Sequence, residues 1–166
     1  MNNSKWPGQL GLTLARLCLA GWVVAAVLFV LTSVAEQTSS HFESLDRDVL
    51  ALLRFPWFYR FGFALLGLGL VGGLLCGAWS GWSRHRYAFV VLVVMALLLL
   101  TIDYFFIYGP LWGMLDPPGQ PRTPDFTSYH TASRRINEMG LLFSTLAAIV
   151  ICLPESDRAP ESTPDN

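Results

Sequence analysis

Long apolar runs broken by short polar segments set the pattern of this chain. Residues 17–34, 61–82, 87–102 and 139–153 contain no charged side chain. About 20 helical residues, rising 1.5 Å each, cross the hydrocarbon core of a bilayer. The first two runs reach that length alone. The third does so if its helix continues through Asp103 to about Tyr108, ahead of Pro110. The fourth does so if it starts near Tyr129 and carries polar residues into the membrane. The pattern predicts an all-α membrane protein, a four-transmembrane-helix bundle with spans at about 12–35, 57–82, 87–108 and 130–153. These form a single domain over residues 1–153, and the Pro-, Glu-, Asp- and Ser-rich tail 154–166 is expected to be disordered. The first run is longer than a signal-peptide core and is read as an uncleaved helix.

Connections alternate in length. Spans two and three are joined only by Ser83-Arg84-His85-Arg86, whereas residues 35–60 and 110–135 form long segments on the opposite side. The first long segment opens with the capping-box spacing Ser40-x-x-Glu43. Apolar Leu45, Val49, Leu52 and Leu53 follow on one helical face, predicting an interfacial amphipathic helix between spans one and two. Pro56 is expected to end it, among the interfacial aromatics Phe55, Trp57, Phe58 and Tyr59. Lys and Arg totals on the two sides are nearly equal. The two arginines in the short loop therefore decide the orientation, and the termini are placed in the cytoplasm.

In the second span Gly69, Gly73, Gly77 and Gly81 recur at every fourth position and share one helix face. Such a stripe lets backbones approach closely in lipid, either inside the bundle or as the seam of a homo-oligomer. Gly67 and Gly72 lie off it.

The four-span topology brings Glu36, Arg60, Asp103, His130, Arg134 and Asn137 to one membrane face. Ionisable groups at membrane depth are costly and usually paired, so these form the candidate cluster, with Arg134 or Arg60 as the expected partner of Asp103. On the fourth helix, His130, Arg134, Asn137, Leu141, Ala148 and Cys152 fall on one arc, with Ser133 and Ser144 at its edge. Ile136, Leu142, Phe143, Leu146 and Ile149 would face lipid. This face reads either as a hydrogen-bonded clasp or as a small-ligand or ion site.

Composition narrows the function classes. Charged residues are 14% of the chain, against about 25% in soluble proteins, and 53% are hydrophobic. A net charge of -1 provides no basic field for nucleic acid, leaving the lipid bilayer as the expected partner. Cys18, Cys76 and Cys152 stand alone in apolar runs, without disulfide or zinc spacing. His130 and His41 are the weak metal candidates, and imidazole with the thioethers of Met114 and Met139 would suit copper. No phosphate loop, nucleophile elbow or HExxH is present, and the chain is not read as an enzyme.

Phe126-x-x-x-His130-x-x-Ser133-x-x-x-Asn137 resembles the signature of the domain-of-unknown-function membrane family that contains transmembrane protein 205. The segment Leu53-Arg54-Phe55-Pro56-Trp57-Phe58 is similar to that family's entry into its second helix, and the resemblance covers residues 10–153. It implies a four-helix integral membrane protein without established activity. It also implies a distant relation to copper-resistance D and haem-biosynthetic membrane proteins, which act through intramembrane histidines. Only His130 stands near such a position. Copper or haem handling through His130, or a small oligomeric transporter, are therefore the alternatives to a clasp or small-ligand site.

Overall fold

A computed structural model of the protein describes residues 6–80 and 82–153. Gly81 and the polar tail 154–166 lie outside the described residues. Four long helices fill the described chain: α1 (Trp6–Thr38), α2 (Ser44–Ser80), α3 (Arg84–Gly113) and α4 (Phe126–Cys152). All four are long and apolar enough to cross a membrane, the architecture of a multi-pass integral membrane protein. Their outward faces carry Leu17, Val24, Leu28, Phe105, Phe106 and Leu142, all exposed, as expected of surfaces solvated by lipid tails.

The segment read as an interfacial helix is helical but not separate. It runs unbroken through Pro56 into the second span, giving α2 its 37 residues. A proline inside a helix removes one hydrogen bond without forbidding continuation where packing holds the chain. Here that hold is visible. Arg54 meets Glu36 of α1 in a two-pronged ion pair, Nη2–Oε2 at 2.6 Å and Nη1–Oε1 at 2.8 Å. Leu45, Val49 and Leu53 stay exposed, as a membrane-surface face would be, while Asp48 is buried. The helix also starts later than Ser40 implied. It begins at Ser44, where the Asp46 carboxylate accepts from the Glu43 N–H at 3.0 Å.

The tightest helix contact joins α1 to α2, and glycine makes it. A Cβ on Gly11 would stand 2.6 Å from the Gly72 carbonyl oxygen and 2.9 Å from the Cys76 nitrogen. A Cβ on Gly72 would meet the Gly11 carbonyl oxygen at 2.7 Å and the Ala15 nitrogen at 2.8 Å. These are backbone atoms, with no side chain to move aside. Gly72, read from sequence as lying off the stripe, is therefore central to the packing. Its partner is a second small-residue stripe on α1, where Gly8, Gly11, Ala15 and Cys18 are buried at spacings of three and four, continued by the larger Trp22. Within the predicted stripe, Gly69 lies against Leu19, Gly73 against the Phe89 ring and Gly77 against the Trp82 ring. Gly69 and Gly73 thus face neighbouring helices of the same chain, and Gly77 faces the short α2–α3 connection.

The third helix does not stop at Pro110. Residues Arg84–Ile102 are α-helical, Asp103–Tyr108 widen into a π-helical turn, and Gly109–Gly113 resume the α form with Pro110 in their first turn. Pro110 has no N–H to donate back into the helix, and the backbone ahead of it is the part that widens. Asp103 opens this turn.

Candidate functional site

Asp103 is fully buried at the meeting point of three helices. Its Oδ2 accepts from the Tyr59 hydroxyl of α2 at 2.6 Å. It also accepts from Ser133 Oγ at 3.1 Å and Asn137 Nδ2 at 2.5 Å, both on α4. Asn137 Nδ2 further reaches the Ser133 carbonyl at 2.9 Å, which fixes the orientation of its amide. The other carboxyl oxygen, Oδ1, is buried with no hydrogen-bond partner. Removing a carboxyl from water is expensive, and here neutral donors rather than a cation compensate it.

This overturns the expected ion pair. Arg134 instead faces Glu138, one turn along α4, at 3.7 Å with both side chains exposed. Arg60 lies over the Trp57 ring with its guanidinium carbon 4.9 Å from the centroid. Glu36 is held by Arg54. A buried arginine would have brought its own desolvation penalty, and hydroxyl and amide donors avoid it. Of the seven candidates named from sequence, the structure brings together Asp103, Ser133 and Asn137, and it places His130, Arg134, Arg60 and Glu36 elsewhere.

Tyr59 was missed because it follows Pro56 among aromatics that look interfacial. It is only 1% exposed and packs against Phe58, Tyr104 and Tyr108. One signal could have found it. Apart from the serines at its two ends, Ser44 and Ser80, α2 carries no other side-chain hydroxyl, so Tyr59 is the only hydroxyl donor within the helix that could reach Asp103.

The inward face of α4 is rotated relative to the expected arc. Ser133, Ser144, Ala147 and Ile151 are its buried residues, so the serines expected at the edge form the centre. Phe143 packs against the core, and Ile136 lines a cleft rather than facing lipid. His130 and Arg134 lie at the rim of the same cleft, which occupies about 590 Å³ among all four helices, with Phe55, Phe58 and Leu66 of α2 in its lining. Its floor is crossed by a hydrogen bond from Trp22 Nε1 to Ser144 Oγ, 3.2 Å long. Its walls include Phe29, Phe58, Leu100 and Leu141, with Ser133 and Asn137 on the α4 side. Gln37, Thr38, His130, Arg134 and Glu138 gather at the mouth. A Cβ added to Gly140 on the wall would meet nothing within 4 Å.

The His130 ring stacks on Phe126 with centroids 5.8 Å apart, and the Arg122 guanidinium lies 4.4 Å above the Phe126 ring. His41 is exposed, just beyond α1. No group of three or more His, Cys, Asp or Glu side chains able to hold a metal exists among the described residues. Neither His130 nor His41 belongs to such a group.

A second anchor escaped the sequence reading. Asp48, 2% exposed, pairs with Arg122 and accepts from the Gly119 N–H at 3.1 Å, tying the α3–α4 connection to the start of α2. Gly119 sits at φ 83°, in the left-handed region that glycine enters without steric cost.

No family model, curated protein or solved structure matches the chain.

Proposed function

We propose that this membrane protein holds a single-chain amphiphile in the cleft among its four helices, with the Asp103 clasp keeping the walls in place. The cleft itself carries the reading. Its volume of about 590 Å³ falls within the usual range of ligand sites, and its charged side chains, Arg134 and Glu138, stand at the mouth. An amphiphile would place its head beside His130, Arg134 and Gln37 and its tail toward Trp22 and Ser144. The Tyr59, Ser133 and Asn137 bonds to Asp103 lock α2, α3 and α4 and pre-form the site. Kinship with the family that contains transmembrane protein 205 is part of this proposal. Two of its motif positions, Ser133 and Asn137, are donors to Asp103, so the motif supports a structural clasp beside a pocket more directly than a metal site.

Native mass spectrometry of the purified protein with oleic acid as probe tests the reading. Binding by the wild type that is lost in Gly140→Phe is expected. The added ring enters open space, so thermal unfolding should be nearly unchanged. Equal binding by the folded filled variant, or none by the wild type, refutes the cleft as the site.

A further inference from the structure

A smaller cavity of about 370 Å³ opens between α2 and α3, lined in part by Arg60, Tyr104, Tyr108 and Trp112; Tyr108 and Trp112 also border the cleft above. Tyr104, Tyr108 and Trp112 follow one another at every fourth residue, beginning inside the π-helical turn. Among the described residues, Arg60 has no carboxylate partner, and the Tyr104 and Tyr108 hydroxyls and the Trp112 indole N–H have no hydrogen-bond partner. Arg60 is the only charged residue in the lining. Tyr59 also borders the cavity, but its hydroxyl is committed to Asp103, and the tyrosine stands between that carboxyl and the space.

A guanidinium and an indole N–H can only donate, and a phenol donates readily. Arg60 also rests over the Trp57 ring, but a cavity offering a cation with no carboxylate partner, three free donors and no carboxylate in its lining is complementary to an oxyanion. Its place beside Pro56 and the exposed Trp57, where the second apolar run begins, is the level at which lipid phosphates lie.

We propose that Arg60, Tyr104, Tyr108 and Trp112 bind a phosphate group, carried by a lipid headgroup or free in solution. The guanidinium supplies the charge and a fork of N–H donors. The two hydroxyls and the indole fix the orientation, and the rings of Tyr59 and Phe63 wall off water on the helix side.

Native mass spectrometry of the full chain in detergent tests this with three separate probes: dioleoyl phosphatidylglycerol, dioleoylglycerol and inorganic phosphate. Phosphatidylglycerol should bind and dioleoylglycerol, with the same tails but no phosphate, should not. Arg60→Gln should weaken binding about tenfold or more, and Tyr108→Phe or Trp112→Phe about two- to tenfold. Binding of inorganic phosphate with the same sensitivity to Arg60→Gln, and no gain from the lipid, would assign the source as free phosphate. Equal binding of both lipids, no binding of either phosphate probe, or an Arg60→Gln variant indistinguishable from wild type would overturn the proposal. Tyr108→Phe keeps its ring and Trp112→Phe keeps a smaller aromatic ring, so folding, followed by thermal unfolding, should survive both. The Gly140→Phe variant should bind phosphate normally, which separates this site from the amphiphile cleft.

Discussion

The Tyr59 hydroxyl donates to Asp103 Oδ2 at 2.6 Å, joining the second helix to the third inside the bundle. Asp103 in turn collects Ser133 and Asn137 from the fourth, so one carboxyl oxygen organises three helices. Interhelical hydrogen bonds in membranes contribute about 0.6 kcal/mol on average and about 1.7 at most. Tyr59→Phe and Asn137→Ala should therefore each cost stability within that range. Asp103→Leu removes the shared acceptor and leaves several buried donors unsatisfied, so it should cost more than either. Unfolding in mixed detergent micelles measures all three. If Asp103→Leu unfolds no more easily than Tyr59→Phe, the carboxyl is not the common node.

The glycines should separate by what each faces. Gly11→Leu and Gly72→Leu place side chains against backbone and should prevent folding or assembly of the α1–α2 pair. Gly73→Leu meets the buried Phe89 ring and should be severe, whereas Gly77→Leu meets the Trp82 ring, which can turn aside. Gly67→Leu has nothing within 4 Å and should be nearly silent. Yield of folded protein on size-exclusion chromatography ranks the series, and a severe Gly67→Leu would contradict the packing described here.

The four helices were legible because lipid-facing and buried residues are both apolar, and uninterrupted runs of that length have few other uses. That same uniformity hid the rest. Without polar alternation, no pattern distinguishes the buried Leu19 from the exposed Leu17, or shows that Gly72 rather than Gly77 meets another backbone. The polar face was only partly legible. Sequence places Asp103, Ser133 and Asn137 at one level, but charge suggests arginine as the partner where burial favours a phenol. Pro56 and Pro110 looked like helix ends, and tertiary contacts carry the helices past both.

Orientation is testable with thiols. With the termini in the cytoplasm, Thr127→Cys should react with a membrane-impermeant reagent applied to intact cells, while Ser83→Cys should not. The background should lack Cys152, which is exposed, while Cys18 and Cys76 are buried. The opposite labelling pattern would invert the topology, and labelling at both sites would contradict the number of crossings between them.

Asp48 and Arg122 are unequal partners, and their variants should differ accordingly. Asp48 is 2% exposed and Arg122 is 37% exposed. Deleting the arginine strands a carboxylate away from water with only the Gly119 N–H beside it, and also removes the cation above the Phe126 ring. Uncompensated buried charges cost about 3–5 kcal/mol when one partner is removed. Deleting the carboxylate leaves a guanidinium that water can reach, and the loss should be nearer the ~1 kcal/mol of a partly exposed pair. Arg122→Ala should therefore loosen residues 114–125 more than Asp48→Ala, and the double variant should recover part of the difference. Amide exchange at Gly119 and protease cleavage within this connection report the change. Equal loosening by the two single variants would mean that the pair is solvated as a whole and that Asp48 is not the buried anchor of the connection.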